Sequence, residues 1–330
     1  MKGRVTIYRS VAEAAGAFGP SALTIGNFDG VHFGHRQILR RVRALGAAHG
    51  WKPSALTFNP HPTRVVAPHR PHRLLTSPVE RAGLMQEEGI EQVLILPFTP
   101  EVAQLSPEDF ARTLLVDALD ARVVLVGENF HFGHRQAGDV RVLAEIGRRL
   151  GFEVDVVPAV SCRGRMVSSS RVRELIESGN VSLAARFLMR PYAIEGGVVH
   201  GRGVGSKQTV PTLNLATAAE VIPARGVYIT RTQEVAHEAE APRVWNSITN
   251  VGYRPTFGAS DELSIETFLL APLEGTAPER IRLEFLRRVR DERQFASPEA
   301  LRTQILKDVG VAQNYFRRVA AWTGRTCISC

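Results

Sequence analysis

Two histidines, His32 and His35, lie in the stretch Gly26-Asn27-Phe28-Asp29-Gly30-Val31-His32-Phe33-Gly34-His35. An apolar strand candidate precedes this stretch, and a helix-like segment follows it. The glycines permit close backbone approach, and the free N–H groups at the start of a helix attract an anion. Imidazoles in that first turn can hydrogen-bond to a phosphate while charge builds on it during displacement. The pattern indicates chemistry on a nucleotide phosphate. The alternative is a glycine-rich turn with two solvated histidines.

A second glycine-rich stretch runs from Gly197 to Asn214. It is not a Walker A loop, because Ser206 separates Gly205 from Lys207 and no strand–loop–helix context surrounds it. It is not a dinucleotide-binding fingerprint either, because its glycines are wrongly spaced and lead into a strand. The glycines therefore match neither of these two nucleotide-binding motifs.

The elements that must position the first stretch alternate between strands and helices. The strand candidates are 22–25, 54–58, 92–96, 122–126 and 153–157, and the helix candidates are 35–49, 78–88, 107–119 and 139–150. Alternation of this kind predicts parallel strands with crossover helices, hence an α/β doubly wound, Rossmann-like sheet. Such sheets bind ligands at the carboxyl ends of their strands, where the two histidines fall.

The pattern changes near residue 190. A helical stretch, 169–188, ends the first half, and short β-branched runs separated by Gly and Pro turns follow it. This is typical of an antiparallel barrel or sandwich, and the tail at 298–321 predicts a terminal helix. We therefore expect two domains, 1–188 and 189–330.

Composition narrows the function classes. The chain has 330 residues, a net charge of +8 and three cysteines. The charge favours an anionic substrate or partner, but the arginines are dispersed and form no long basic run interleaved with aromatic residues, so nucleic acid is not favoured. No apolar run is long enough to span a membrane, and the cysteines do not make a disulfide scaffold, so we expect a cytoplasmic protein. The terminal pair Cys327 and Cys330 has no assigned role.

Five elements of the first half, in order, resemble the prokaryotic bifunctional riboflavin kinase/FAD synthetases of the nucleotidyltransferase superfamily. The first is the histidine-bearing stretch described above. The others are Thr57-Phe58-Asn59-Pro60-His61-Pro62, Leu75-Thr76-Ser77, Gly127-Glu128-Asn129-Phe130-His131-Phe132-Gly133 and Ser168-Ser169-Ser170-Arg171-Val172-Arg173. The resemblance implies an FMN adenylyltransferase domain here.

The resemblance also implies roles for individual residues. His32 and His35 would face the α-phosphate of ATP, and Arg173 would balance charge on the β- and γ-phosphates. The hydroxyl of Ser169 would add a hydrogen bond, and Asn129 would contact the nucleotide or the flavin.

The loop itself would bind ATP through Gly26, Asn27, Phe28 and Asp29. For Asp29, orienting the loop is an equal alternative, and His61 is either a ligand contact or a turn residue.

The second half resembles the riboflavin kinase module, whose signature is a glycine-rich loop followed by Pro-Thr-x-Asn, here Pro211-Thr212-Leu213-Asn214. The resemblance implies that Thr212 and Asn214 hold Mg²⁺ and nucleotide phosphates, with the hard oxygen ligands that Mg²⁺ prefers. Backbone N–H groups of the loop would cradle phosphate oxygens, and a lysine would add a point charge. These loop residues are Gly201, Gly203, Gly205 and Lys207, in a loop that departs from the family's common form.

The resemblance also implies which residues bind the flavin and which residue accepts the proton in the kinase reaction. Glu266 matches the family's glutamate and would accept or orient the proton of the ribityl hydroxyl. Asn250 and Arg290 would lie at the flavin site, and a structural salt bridge is the alternative for Arg290. Tyr253, Phe257 and Phe285 would line the isoalloxazine pocket or pack in the core.

The resemblance thus implies an enzyme that phosphorylates riboflavin to FMN and then adenylylates FMN to FAD. Its partners would be riboflavin, FMN, FAD, ATP/ADP and pyrophosphate, with Mg²⁺ as cofactor and with neither nucleic acid nor membrane. The alternatives are an enzyme that has lost one site, a basic nucleic-acid-binding protein and a flavin-binding regulator without turnover.

Overall fold

A computed structural model describes residues 4–70, 72–162, 164–199, 212–235, 241–254 and 262–323. By internal contacts the chain divides into two compact units, Met1–Ser169 and Ser170–Cys330. The domain boundary predicted after residue 188 lies two helices beyond this division of the chain. That the two activities divide at residue 188 stays a prediction.

The first unit contains a six-stranded parallel sheet with the strand order β1-β4-β3-β2-β5-β6. The strands are β1 Thr6–Tyr8, β2 Ser21–Ile25, β3 Lys52–Asn59, β4 Gln92–Pro97, β5 Ala121–Gly127 and β6 Glu153–Val157, followed by a small hairpin of β7 Ser161–Cys162 and β8 Arg165–Met166. The doubly wound sheet predicted from the alternating pattern is confirmed.

Helices connect these strands. They are α1 Val11–Ala14, α2 Phe33–His49, α3 Pro62–Val66, α4 Pro78–Glu87, α5 Pro100–Ala103, α6 Pro107–Phe110 and α7 Val140–Leu150, with a 3₁₀ turn at His134–Gln136. The helix predicted at 107–119 is wrong in kind beyond Phe110, because Ala111–Ala118 continues as a π-helix.

Successive residues of the central strands enter two different apolar clusters. In β2, Ala22 belongs to one cluster and Leu23 to the other, and Ala55 and Leu56 of β3 alternate in the same way. Because neighbouring side chains of a strand point to opposite faces, the sheet is buried on both sides. This is why the strands read as continuous apolar runs in the sequence.

The order of the strands reverses between β2 and β5. From β2 the chain continues to β3 and β4 on one side, and it then returns to place β5 on the other side of β2. In open α/β sheets such a switch point leaves a crevice at the carboxyl ends of the two strands. The loops that follow β2 and β5 therefore border the expected ligand site.

The second unit is built on a closed six-stranded antiparallel barrel with the order β10-β13-β12-β11-β14-β9. Its strands are β9 Tyr192–Val199, β10 Thr212–Thr217, β11 Gly226–Glu234, β12 Val244–Arg254, β13 Glu262–Leu269 and β14 Arg280–Arg290, and its helices are α8 Ser169–Glu177, α9 Val181–Leu188 and α10 Pro298–Thr323. The structure thus selects the barrel over the sandwich.

The single helical stretch predicted at 169–188 is two helices. Gly179, at φ 80°, and Asn180 separate α8 from α9, and the Asn180 side chain accepts a hydrogen bond from the Leu183 N–H as the cap of α9. In the second unit Ser182 donates to the Leu286 carbonyl oxygen at 2.9 Å, so α9 is fastened to β14.

Hydroxyl groups fill part of the barrel interior. Thr230 contacts both Ser247 and Thr249 at 2.8 Å, Thr249 contacts Thr267 at 3.0 Å, and all four residues are fully buried. Pairing buried hydroxyls with one another avoids the cost of leaving them without hydrogen bonds.

The opposite face of β11 and β12 is covered by α10. There Val227, Ile229 and Ile248 pack with Ala312 and Phe316 of the helix. Among the described residues, no helix is both long and apolar enough to cross a bilayer.

Candidate active sites

The first candidate site is the connection from β2 to α2, at the switch point of the parallel sheet. His32 caps α2, and its Nδ1 accepts a hydrogen bond from the His35 N–H at 3.4 Å. Since Nδ1 accepts, the proton of a neutral His32 ring resides on Nε2, which is then a donor. The 17-residue helix adds free N–H groups and the positive end of its dipole.

The two predicted histidines lie together. Their rings stack with centroids 3.6 Å apart, and the ring of Phe28 meets His35 edge-on at 5.1 Å. Burial, then the neighbouring His32 and then Arg81 hold the pKa of His35 well below its usual value. His35 is therefore a neutral imidazole at pH 7, and its buried Nδ1 has no hydrogen-bond partner within the described residues.

Asp29 is buried and its carboxylate is used within the protein. It accepts hydrogen bonds from the N–H groups of Leu75, at 3.0 Å, and Thr76, at 3.1 Å. The Gly30 N–H in turn donates to the hydroxyl of Thr76 at 3.0 Å. Of the two roles left open for Asp29, these contacts favour orienting the loop.

The remaining predicted residues of this site lie on different segments. The hydroxyl of Ser169 donates to the Asp29 carbonyl oxygen at 2.8 Å, so it reaches the loop. Asn129 is exposed and follows β5, at the other strand of the switch point. Arg173 belongs to the second unit, where its guanidinium lies 3.4 Å from the Ser170 hydroxyl, and its role in ATP binding stays a prediction.

His61 acts as a helix cap. Its Nδ1 accepts from the Thr63 N–H at 3.2 Å, and its ring stacks on that of His72 at 3.9 Å. Both observations favour the turn-residue interpretation over a ligand contact.

Sequence reasoning missed Arg81. This arginine is 1% exposed on α4, and its guanidinium lies between Thr57, Thr76 and Asp29. Arg81 precedes the buried Leu84 and Met85 of α4 by three and four residues, but this spacing alone does not decide whether an arginine is buried.

The second candidate site is a row of residues on the outer face of the barrel. Strand register pairs Asn214 of β10 with Glu266 of β13, and Glu266 with Asn250 of β12. The row continues through Val227 of β11 to Arg290 of β14. Directly opposed residues project to the same face, so four predicted residues from four strands are brought into one line.

A cavity of about 800 Å³ opens over this row. One wall consists of Glu266, Asn250, Val227 and Arg290 of the row together with Thr212 and Phe268, and the other is the segment after β14 with the start of α10. This second wall includes Glu292, Arg293, Phe295, Leu301, Ile305 and Asp308. A volume of this size and mixed apolar and polar lining suit a cofactor-sized ligand.

Arg290 both lines the cavity and forms an ion pair. Its Nε and Nη2 donate to Asp308 Oδ2 at 3.0 and 2.8 Å, and the carboxylate of Asp308 also accepts from Gln304 at 2.7 Å. Asp308 is only 4% exposed. The salt bridge considered for Arg290 is thus present, and it fixes the side chain at the edge of the cavity.

Other expectations have mixed outcomes. Phe285 is fully buried and packs on Tyr228, so it belongs to the core. Tyr253 is 39% exposed, with the guanidinium of Arg225 over its ring. The predictions for Gly201, Gly203, Gly205, Lys207, Phe257, Cys327 and Cys330 lie outside the described residues.

The fold and the two sites define a protein of two units, one an α/β doubly wound sheet and the other a closed antiparallel barrel, each with a candidate site. Comparison with known families specifies it further. The FAD synthetase family model matches residues 16–171, and the riboflavin kinase model matches residues 188–316.

Known relatives extend over nearly the whole chain. A bifunctional riboflavin kinase/FMN adenylyltransferase of Pseudomonas fluorescens is 34% identical over 88% of this chain and 91% of its own length. The protein of that description in Escherichia coli strain K12 is 33% identical over 89% and 92%. This chain therefore belongs to the bifunctional riboflavin kinase/FMN adenylyltransferase family.

A solved structure from Streptococcus pneumoniae, described as a macrolide-efflux protein, shares the fold. It aligns with a TM-score of 0.83 and 26% identity over 94% of this chain and 99% of its own. That description is of the pneumococcal protein alone.

Proposed function

We propose that the chain performs the two reactions of its family at two separate sites, one in each unit. Riboflavin is phosphorylated to FMN at the barrel, and FMN is adenylylated to FAD at the parallel sheet. The observation that carries the separation is that Asn214, Glu266 and Asn250 face one another in the second unit. His32 and His35, by contrast, begin α2 in the first.

In the kinase reaction, riboflavin occupies the cavity beside the Asn214–Arg290 row. The carboxylate of Glu266 accepts the proton of the ribityl 5′-hydroxyl as that oxygen bonds to the γ-phosphorus of ATP, and ADP leaves. Asn250 and Arg290 orient the flavin. Phe268 and Phe295 offer apolar surface to its ring system.

The donor set at β10 fits Mg²⁺. Thr212 offers a hydroxyl and Asn214 an amide oxygen, and Glu266 lies opposite Asn214. Mg²⁺ usually keeps waters and phosphate oxygens and takes few protein ligands, so two neutral oxygens beside a carboxylate suffice. When bound, the ion would neutralise charge on the phosphate oxygens of ATP.

In the adenylyl reaction, an oxygen of the FMN phosphate attacks the α-phosphorus of a second ATP and pyrophosphate leaves. His32, through Nε2–H, and the neutral His35 hydrogen-bond to the non-bridging α-oxygens, which gain charge in the transition state. The N-terminus of α2 adds N–H groups, while Asn129 and Ser169 add further nucleotide contacts. Neither His32 nor His35 needs to act as a nucleophile.

We place both reactions in the cytoplasm. A chain with three cysteines and no disulfide framework in its sequence suits a reducing compartment. The partners are the small molecules of the two reactions, and the basic net charge serves their phosphates.

The test is a time course with purified protein, riboflavin, ATP and Mg²⁺, with the flavins resolved by chromatography. FMN should appear first and FAD should follow, with one ADP per FMN and one pyrophosphate per FAD. A parallel reaction from FMN tests the second step alone. Protein that produces neither flavin refutes the proposal.

A further inference from the structure

Arg81 carries a positive charge into the interior of the first unit. The residue is 1% exposed, and burial lowers the pKa of its guanidinium while Asp29 and Glu80 counter that effect. Its Nε is buried and has no hydrogen-bond partner among the described residues. An imperfectly satisfied buried charge destabilises a fold, so its presence calls for a role beyond packing.

The contacts of Arg81 converge on the nucleotide loop. Its Nη1 donates to Thr57 Oγ1 at 3.0 Å, and Thr57 Oγ1 donates to the Asn27 carbonyl oxygen at 3.2 Å. Its Nη2 lies 3.4 Å from the Thr76 carbonyl oxygen and 3.9 Å from Asp29 Oδ1. One guanidinium thus joins the end of β3, the turn before α4 and the loop.

The loop needs such support, because its backbone is strained. Phe28 and Val31 have φ values of 48° and 39°, in the left-handed region that residues with a Cβ seldom adopt. Strained backbone persists where surrounding contacts over-determine it. The contacts of Arg81, Asp29 and Thr76 supply that constraint directly before His32.

We propose that Arg81 is a positioning residue for adenylyl transfer. Without touching the nucleotide, it holds the Gly26–Gly30 loop in its binding conformation and sets the electrostatic environment of His35. The inference rests on the proposed function of this site. Arg81 on α4 and His32, the N-cap of α2, both lower the pKa of His35, and Asp29 is the acidic group of the loop beside them.

The test compares full-length Arg81→Met and Arg81→Lys. For FAD formation from FMN, Arg81→Met should raise the KM for ATP at least tenfold. It should also move the acid limb of the kcat profile to higher pH, because loss of the charge raises the pKa of His35. Arg81→Lys keeps the charge but loses the forked contacts, so it should retain the pH profile and still show the raised KM.

The matched control is Leu84→Ala, which removes a buried side chain from the same helix without altering charge. It should lower the midpoint of thermal unfolding and leave both the KM and the pH profile as in the wild type. If Leu84→Ala reproduces the changes, or if both Arg81 variants behave as the wild type, the proposal is overturned.

Two readouts separate this proposal from the function on which it rests. FMN formation in the same molecules should be unchanged, since it occurs in the other unit. Wild-type chain that makes no FAD from FMN overturns both proposals. Active wild type with Arg81 variants of unaltered KM and pH profile overturns only the role of Arg81. If Arg81→Met does not fold, the KM and pH profile of Arg81→Lys decide alone.

Discussion

The imidazole rings of His32 and His35 lie nearly parallel, with their centroids 3.6 Å apart and an angle of 15° between their planes. Two protonated rings at that distance would repel each other in a partly desolvated site. Together with burial, this repulsion keeps His35 a neutral, hydrogen-bonding imidazole. Donors of that kind can follow the charge on a phosphate without a change of protonation.

Removing both rings should stop the second reaction alone. We expect His32→Ala/His35→Ala to lower the rate of FAD formation from FMN at least about 10³-fold, as the loss of preorganised donors does in other enzymes. FMN formation from riboflavin should continue at the wild-type rate. Flavin chromatography measures both. A double variant that still makes FAD at near the wild-type rate would show that the adenylyl site lies elsewhere.

The complementary variant is Glu266→Gln, which keeps the shape of the side chain and removes its basicity. We expect FMN formation to fall about 10²–10⁴-fold, the range for loss of a general base. FAD formation from supplied FMN should persist. Simultaneous loss of both activities in a folded variant would contradict separate sites.

The pH dependence of stability should report on His35. Its pKa is well below 6.5 in the folded protein, so below about pH 6.5 the unfolded chain binds a proton that the folded chain does not. The free energy of unfolding should therefore decrease as the pH falls from 6.5, by up to about 1.4 kcal/mol per pH unit. Urea unfolding between pH 5 and 8 measures this slope.

His35→Gln should flatten the same slope, and replacement of the exposed His131 is the matched control. An unchanged slope in His35→Gln would mean that His35 accepts a proton as readily in the folded protein as in the unfolded chain.

The ion pair of Arg290 and Asp308 should contribute strongly to the stability of the second unit. Asp308→Ala leaves the guanidinium of Arg290 with its charge uncompensated, which we expect to cost about 3 kcal/mol. The double variant Arg290→Met/Asp308→Leu should be less destabilised than Asp308→Ala, because no unpaired charge remains. Urea unfolding of the wild type, the single variants Arg290→Met and Asp308→Leu, and the double variant forms a double-mutant cycle. If the losses of unfolding free energy in the two single variants add up to the loss in the double variant, Arg290 and Asp308 are not coupled.

Filling the cavity on the outer face of the barrel should block riboflavin binding without unfolding the protein. Ile305 lines the cavity and is 38% exposed, whereas the next residue, Leu306, is 64% exposed and does not line it. Ile305→Trp should raise the KM for riboflavin at least tenfold, and Leu306→Trp should not. Equal KM values in the two variants would contradict a flavin site under α10.

Residues close together in the sequence were the more predictable part of the fold and sites. His32 and His35 lie in one short stretch of sequence. The apolar strands define the sheet locally, and Gly50 and Gly151 end two of the helices between them. Glu266 and Asn214 were recognised singly, but their pairing depends on the register of strands joined by long connections. The ion pair of Arg290 with Asp308 likewise requires α10 to fold back onto the barrel.

Arg81 shows why other features of the site could not be predicted from the sequence. Its position in α4 predicts either an exposed or a buried side chain, and only the tertiary contacts with Thr57 and Asp29 decide. Helix propensity also gave no hint of the π-helix at Ala111–Ala118, since the same apolar residues suit an ordinary α-helix.

The closed barrel separates what keeps the second unit folded from what gives it a substrate. Along β12, Ser247 and Thr249 belong to the hydroxyl cluster inside the barrel, and Thr249 also borders the cavity, while Ile248 and Asn250 point outward to the cavity and α10. Laboratory evolution of this unit toward flavin analogues can therefore vary outward positions and the facing helix, and leave every inward position untouched. Changes in substrate range and losses of stability should then arise from different sets of codons.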